Sequence, residues 1–394
     1  MNLAGFSEDT INELTQAHGT PLYAYNQQVI ANQIEKLLSW QAPFGTTARY
    51  AMKANPHPEV LRTMHASGIH IDASSWYEVL AAQEAGIPAE NISLNSQQLP
   101  DDMQALVNSG VHFVATSLHQ LEAYGKAAAG SSVGIRLNPG KGSGMNNRLN
   151  TAGVNAGFGI WHEYITDIQA LAKTYSLTIE TIHTHIGSGT DPEEWKNAAA
   201  TTLEFVKAFP TATTMSLGGG FKVGYMPGEQ DVDITAVASH VNALLEQFSE
   251  ETGRTIHLEI EPGKFLVAAS GILIAKVVDI VDTGANGHTF LRLNTGMNDI
   301  LRPTMYGAQH PLSIIAAEPR TNESTKEYVV IGHNCESGDI ITPAKGDPEG
   351  LAPRWLATAR IGDMVVIGMA GAYCASMRAK GYNAYPDAKE VFVG

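Results

Sequence analysis

Between Gln28 and about Gly263 the sequence alternates helical and strand patterns with a regularity that few folds accept. A helical stretch from Val29 to Trp40 precedes the apolar run Ala48 to Met52. A helix from Pro58 leads to Ile69–Ala73, one from Trp76 to Asn91–Leu94, and one from Pro100 to Val111–Ala115. Leu118 opens the helix before Ser132–Leu137, and His162 to Tyr175 precedes Thr178–His185. Pro192 to Phe209 then leads to Thr213–Leu217, and Ile234 to Thr252 to Thr255–Glu261. Eight strands, each preceded by a helix, run parallel and are buried on both faces. The reading is an α/β chain built on an eight-stranded parallel barrel of the TIM type, spanning 26–262. No G-x-G-x-x-G follows the first strand, which argues against a dinucleotide-binding sheet.

The rhythm breaks after Gly263. Ile272–Val281, Thr289–Leu293, Leu312–Ala317, Tyr328–Ile331, Ile340–Thr342 and Met364–Met369 are short apolar runs set off by Gly, Pro, Asn or Asp, with no convincing helix between them. They predict a mostly antiparallel β-barrel or sandwich over 1–25 and 263–394, with Leu22–Tyr25 adding a strand to it. The Gly- and Asn-rich insert Gly140 to Gly159 follows the fifth strand, as a solvated loop or as a loop over the active site.

Composition removes several classes. Lys plus Arg number 25 against 40 Asp plus Glu, a net charge of −15 with no basic patch, which argues against nucleic acid. The apolar stretch Phe265 to Val281 is broken by Ser270, Lys276 and Asp279, too short and polar for a membrane span. The N-terminal residues lack the basic start and apolar run of a signal peptide. Two cysteines make no disulfide framework, and a reducing, cytoplasmic location is expected.

In such barrels function concentrates where strands end, and polar residues stand there in number. Lys53 closes the first strand, Asp72 and Ser74 the second, Asn95 the third, and Arg136 with Asn138 the fifth. His183, His185 and Ser188 close the sixth, Gly218, Gly219 and Gly220 the seventh, and Glu261 the eighth. Lys53 either reaches solvent or is held in the barrel mouth, where a desolvated amine becomes available for Schiff-base chemistry. The glycine triplet is a tight turn or a backbone cradle for phosphate. His183 and His185, two apart on one strand, are a metal pair or a stacked and hydrogen-bonded pair, and a catalytic metal would need a third ligand. Glu261 and Glu259 share parity, so one of the two is structural; a carboxylate at the mouth needs a cationic partner, which a protonated heteroaromatic nitrogen would supply. Cys335, flanked by polar residues on a turn-rich stretch, is either a small buried hydrophobe or a reactive thiol.

Taken together, several segments resemble the fold type III decarboxylases that use pyridoxal 5′-phosphate. They are Tyr50-Ala-Met-Lys-Ala-Asn55, His183-Thr-His-Ile-Gly-Ser188, Leu217-Gly-Gly-Gly220, Glu261-Pro-Gly-Lys264, Met297 to Pro303 with Tyr306, Cys335-Glu-Ser-Gly-Asp339 and Gly371-Ala-Tyr373 with Ala375-Ser-Met377. The resemblance runs over nearly the whole chain and looks most like the branch that decarboxylates meso-diaminopimelate to L-lysine. It implies that Lys53 holds the cofactor covalently, that His185 stacks on its ring and that Glu261 pairs with the ring nitrogen. Asp72 and Arg136 fall among the cofactor contacts. Gly218 to Gly220, Ser188, Gly263 and Lys264 would hold the phosphate, with Tyr373. Cys335 would return a proton to the carbon that has lost CO₂. Arg302, Tyr306, Lys264, Tyr373 and Glu336 would contact the substrate, the arginine through a bidentate pair with a carboxylate. Cys335 and Glu336 would come from the other subunit of a homodimer with shared active sites.

Three positions depart from the family pattern: Lys264 stands for arginine, Gly157 for a basic residue, and Cys374 for glycine. Related enzymes acting on ornithine, arginine, D-amino acids or conjugated amino acids therefore stay open as substrate alternatives. Rival classes are a non-catalytic homologue, which would lack Lys53, the glycine triplet or Cys335, an alanine racemase-like enzyme, which would need a tyrosine base on the β domain, and a metal-dependent barrel hydrolase built on His183 and His185.

Overall fold

A computed structural model describes residues 3–141, 151–185, 187, 192–320 and 324–394. The chain forms two compact units: one from Gln33–Lys222 and Asp231–Phe265, the other from Met1–Asn32, Val223–Gln230 and Leu266–Gly394.

The first unit is the barrel. Its strands are β1 (Thr46–Ala51), β2 (His70–Ala73), β3 (Ile92–Leu94), β4 (His112–Ala115), β5 (Ser132–Asn138), β6 (Thr178–Thr184), β7 (Thr214–Ser216) and β8 (His257–Ile260). Each pairs in parallel with the next, and β8 closes the ring on β1 through Leu258 with Thr46 and Ile260 with Ala48. All eight expected strands are present, their ends shifted by two residues at most. They are legible because they are largely buried on both faces and so read as mostly apolar runs.

Helices sit between the strands, and their starts follow capping chemistry. Ser75, Ser117 and Asp233 accept from backbone N–H groups of the helices Trp76–Glu84, Leu118–Ala127 and Ile234–Thr252. The helix expected from Pro100 begins instead at Met103, because the Asp102 side chain caps it through Gln104 N and Ala105 N. The insert after β5 is followed by a two-residue strand, Ile160–Trp161, paired on β5, and its residues 142–150 lie outside the described set.

The barrel interior is layered. One layer holds Arg49 of β1, whose Nη2 donates to Glu259 Oε1 of β8 at 2.6 Å, both side chains being buried. Arg49 stands in register with His70. The layer above, toward the strand ends, holds Asp72, Arg136, His183 and Ser216. An apolar barrel would need no such groups.

The second unit is a mostly antiparallel sheet in the order Leu312–Ile315, Met364–Ile367, Gly271–Asp282, Thr289–Leu293, Thr325–Ile331, Arg354–Ala357. Thr289–Leu293 and Thr325–Ile331 pair in parallel. Leu22–Asn26 joins this sheet as expected, antiparallel to Gly271–Asp282, and on its other side pairs in parallel with Lys389–Val393. Tyr23 and Tyr25, stacked with centroids 6.1 Å apart, pack in its core with Leu273, Leu291 and Val365. Two expectations are corrected. Ile340–Thr342 makes only a single bridge, Ile340 with Ile331, and the short strand there is Pro343–Ala344, paired with Asp347–Leu351. A helix does interrupt the strands: Arg302–Tyr306, with Pro303 in its first turn, where a missing N–H costs nothing.

Candidate active site

Glu261, the first residue beyond β8, organises the mouth of the barrel. Ser216 Oγ donates to its Oε1 at 2.8 Å, and His183 Nε2 lies 3.0 Å from its Oε2. Its backbone N–H donates to Gly218 O at 2.8 Å, tying the end of β8 to the glycine triplet. Burial works against a charge on Glu261, but His183 and the two hydrogen bonds outweigh it and hold the carboxyl below the usual carboxylate range. Asp72, also buried, goes the other way: burial first, then the charge of Glu261, push its carboxyl up to about 8. The two carboxyl groups are thus pushed apart, Glu261 toward the ionised form and Asp72 toward the protonated one. Asp72 Oδ1 is buried without a hydrogen-bond partner.

Glu259, two residues below, is committed to Arg49, which makes it the structural one of the pair and leaves Glu261 to the mouth. The two histidines divide likewise. His183 is buried against Glu261, with Asn95 Nδ2 3.3 Å from its Nε2. His185 lies just past β6, half-buried, and burial together with the charges of Arg136 and Lys53 pushes its imidazole well below the usual range. It is a neutral ring, and its Nδ1 has no partner. Among the described residues no group of three His, Cys, Asp or Glu side chains is placed to hold a metal ion.

Lys53 sits on the short turn Met52–Ala54 directly after β1 and is exposed. Arg136, buried on β5, donates from Nη1 to Asn95 Oδ1 at 3.4 Å, with its guanidinium 5.4 Å from the Phe158 ring. Gly218 holds φ +66°, and a Cβ there would lie 2.5 Å from His185 Nδ1. A Cβ on Gly219 would come under 3.0 Å from the carbonyl oxygen of Glu261. The exit of β7, with Gly220, is therefore bare backbone of necessity. Gly263 is packed against Ala51 and Ala54, and Lys264 opens the helix Lys264–Val267 half-buried. Ser188 lies outside the described residues.

The remaining candidates belong to the second unit. Arg302 starts the helix Arg302–Tyr306, with Tyr306 at its end. Arg302 donates from Nη1 to His310 Nε2 at 3.0 Å, and its guanidinium lies 4.6 Å from the centroid of the Tyr225 ring. Tyr373 takes a left-handed φ of +55° beside the fully buried Cys374. Cys335 is exposed, its N–H donating to Asn383 Oδ1 at 2.7 Å. Glu336, also exposed, accepts from Gly338 N at 3.2 Å and from Tyr382 Oη at 3.2 Å. Asp339 fixes this turn, accepting from Met297 N, Asn334 N and Asn334 Nδ2 at 2.7, 2.9 and 2.7 Å. Ser216, Tyr225 and His310 were not singled out by sequence reasoning. Only Ser216 carried a signal, as the polar end of an apolar strand.

Comparison with known proteins places these residues in context. The family model described as "Pyridoxal-dependent decarboxylase, pyridoxal binding domain" matches residues 30–268. A diaminopimelate decarboxylase from Streptomyces coelicolor is 35% identical over 384 residues, 95% of this chain and 85% of that protein. One from Escherichia coli K12 is 34% identical, covering 98% and 93%. A crystal structure of diaminopimelate decarboxylase superposes with a TM-score of 0.91 at 32% identity, over 98% of this chain and 91% of that one.

Proposed function

The chain belongs to the pyridoxal-dependent decarboxylases, and from that premise we propose that it converts meso-diaminopimelate to L-lysine and CO₂. It is a carboxy-lyase that uses pyridoxal 5′-phosphate. The observation that carries the assignment of roles is the ionised Glu261 held between His183 and Ser216 beside the bare Gly218–Gly220 backbone. The residues fit the cofactor. Two protein hydrogen bonds leave lone pairs of the Glu261 carboxylate free for a pyridinium N–H. Asp72 Oδ1 and His185 Nδ1 are buried and unpartnered, and the Gly218–Gly220 backbone offers N–H groups to a phosphate.

When bound, pyridoxal 5′-phosphate supplies an electron sink for the pair left behind as CO₂ departs. Lys53 holds it covalently, and Glu261 keeps its ring nitrogen protonated. The neutral His185 stacks on the ring without adding a second positive charge. Gly218 to Gly220, Gly263 and Ser188 take the phosphate, with Tyr373; Arg136, Asp72 and Lys264 complete the contacts. Arg302 and Tyr306 bind the carboxylate of the far amino-acid centre, and Glu336 binds its ammonium. The Cys335 thiol delivers a proton to the carbon that has lost CO₂.

A homodimer is part of the proposal, with Cys335 and Glu336 serving the partner subunit's site; the exposure of both residues supports it. So is a reducing, cytoplasmic setting, because a proton-donating cysteine has to stay a free thiol. No helix among the described residues is long and apolar enough to cross a membrane.

CO₂ release from meso-diaminopimelate, L-ornithine, L-lysine, L-arginine and D-ornithine, with cofactor supplied, tests the substrate. Strong preference for the first is expected; turnover of another keeps the reaction and overturns the substrate. Lys53→Ala should lose the absorbance of the bound cofactor, whereas Cys335→Ala should keep it and lose most turnover. Mixing these two inactive variants should restore about a quarter of the wild-type rate if sites are shared across a symmetric dimer. No recovery would remove the shared site.

A further inference from the structure

Arg302 is held in an unusual way for a sunken cation. Its acceptors and neighbours are all neutral: His310 Nε2 at 3.0 Å, the face of Tyr225 at 4.6 Å, and the thiol of Cys374. Among the described residues no Asp or Glu forms an ion pair with it. A buried guanidinium is ordinarily matched by a carboxylate, which offsets its desolvation and consumes its charge. Here the charge has no internal counter-ion among the described residues.

The neutral partners are themselves fixed. His310 is buried and donates from Nδ1 to Gly368 O at 3.0 Å, so its Nε2 carries the lone pair and can only accept. Burial and the Arg302 charge push this imidazole down to about 3, so it stays an acceptor throughout the neutral range. Tyr225 stands edge-on to His310, with centroids 5.4 Å apart and planes at 88°. Cys374 is fully buried; its Sγ donates to Ala372 O at 3.4 Å, and burial raises the thiol to about 11. It is a neutral group on Arg302 at a position where the family pattern has a glycine and therefore no side chain.

We propose that His310, Tyr225 and Cys374 are positioning residues that hold the Arg302 guanidinium oriented and without an internal counter-ion, so that the carboxylate of the substrate's far amino-acid centre is the anion that completes it. The proposal rests on the reading of Arg302 as the partner of that carboxylate. An internal acid at this place would compete with the substrate; neutral acceptors do not.

Steady-state kinetics on meso-diaminopimelate, with inhibition by L-lysine (which keeps the far carboxylate) and cadaverine (which has none), test it on the cofactor-loaded enzyme. His310→Phe removes the acceptor and should raise KM and the lysine inhibition constant about tenfold or more, the scale of one hydrogen bond to a charged group. kcat and cadaverine inhibition should change less than about threefold, and His310→Gln, which offers Oε1 to Arg302, should recover most of the loss. A fall in kcat at unchanged KM, or equal weakening of lysine and cadaverine, overturns the proposal. Arg302→Met separates the layers. If it leaves KM and lysine inhibition unchanged, the carboxylate reading itself fails; if it weakens both while His310→Phe does not, only the positioning role fails. Should His310→Phe not fold, Cys374→Gly, judged by the same split between lysine and cadaverine, decides the matter.

Discussion

Gly219→Ala is the most demanding single change that the barrel offers. The new methyl group would lie under 3.0 Å from the carbonyl oxygen of Glu261, which is backbone and cannot swing aside. Relief requires the loop after β7 to move away from β8, and the hydrogen bond from Glu261 N to Gly218 O, 2.8 Å long, ties the two together. Overpacking of this kind costs about 1–3 kcal/mol. Opening that buried hydrogen bond adds about 1–3 kcal/mol. The sum is about 2–6 kcal/mol, which for a unit of this size means a melting temperature at least about 4 °C lower. Because the displaced residue carries the carboxylate assigned to the cofactor ring, a further 1.4 kcal/mol or so, about tenfold, should appear in pyridoxal phosphate affinity. Thermal melting with and without cofactor, and absorbance titration with pyridoxal phosphate, read the two effects separately. Gly157→Ala is the control, since nothing lies within 4 Å of a Cβ there. A Gly219→Ala protein that melts within about 1 °C of wild type and binds cofactor equally well would refute the steric reasoning.

Other changes probe other parts. Arg49→Met leaves Glu259 buried without its cation and should destabilise by about 3–5 kcal/mol in denaturant unfolding, while Arg49→Met with Glu259→Leu should lose less than Arg49→Met alone. Asp72 has a folded value of about 8, above its unfolded value of about 3.9, so the unfolded chain releases its proton first and stability falls as pH rises through that window. In cofactor-free protein, Asp72→Asn should therefore melt higher than wild type by a margin that grows from about pH 5 to about pH 8 and then levels; a pH-independent margin would contradict the assignment. Asp339→Ala removes the acceptor of three N–H groups around the Cys335 turn, and should lower kcat while leaving the absorbance of bound cofactor as it was.

What the sequence disclosed follows from burial. The barrel strands are largely enclosed on both faces and so spell themselves as mostly apolar runs, and several helix starts carry a capping residue. Arg354–Ala357 and Asp347–Leu351 escaped notice because their side chains are mostly half-exposed or exposed, so no apolar run marks them. Arg302–Tyr306 is too short for helical periodicity to register. Among the site residues, Glu261 and His183 were legible as polar ends of apolar strands. Their division of labour with Glu259 and His185 was not, since parity is shared and only distance separates them. His310 and Tyr225 had no local signal at all: 85 residues apart, they meet only through the fold at Arg302.

The pairing of Leu22–Asn26 with Lys389–Val393 has a consequence in time rather than in space. At about 5–20 residues per second, roughly 20–70 s separate the emergence of these two strands from a ribosome. The intervening chain includes every strand of the barrel, whose neighbours in the ring are neighbours in sequence, so the barrel can close while the strand with Tyr23 and Tyr25 still has one open edge. The tyrosine strand is thus made before the barrel and completed only after it, and throughout that interval its unpaired edge is open to a wrong partner.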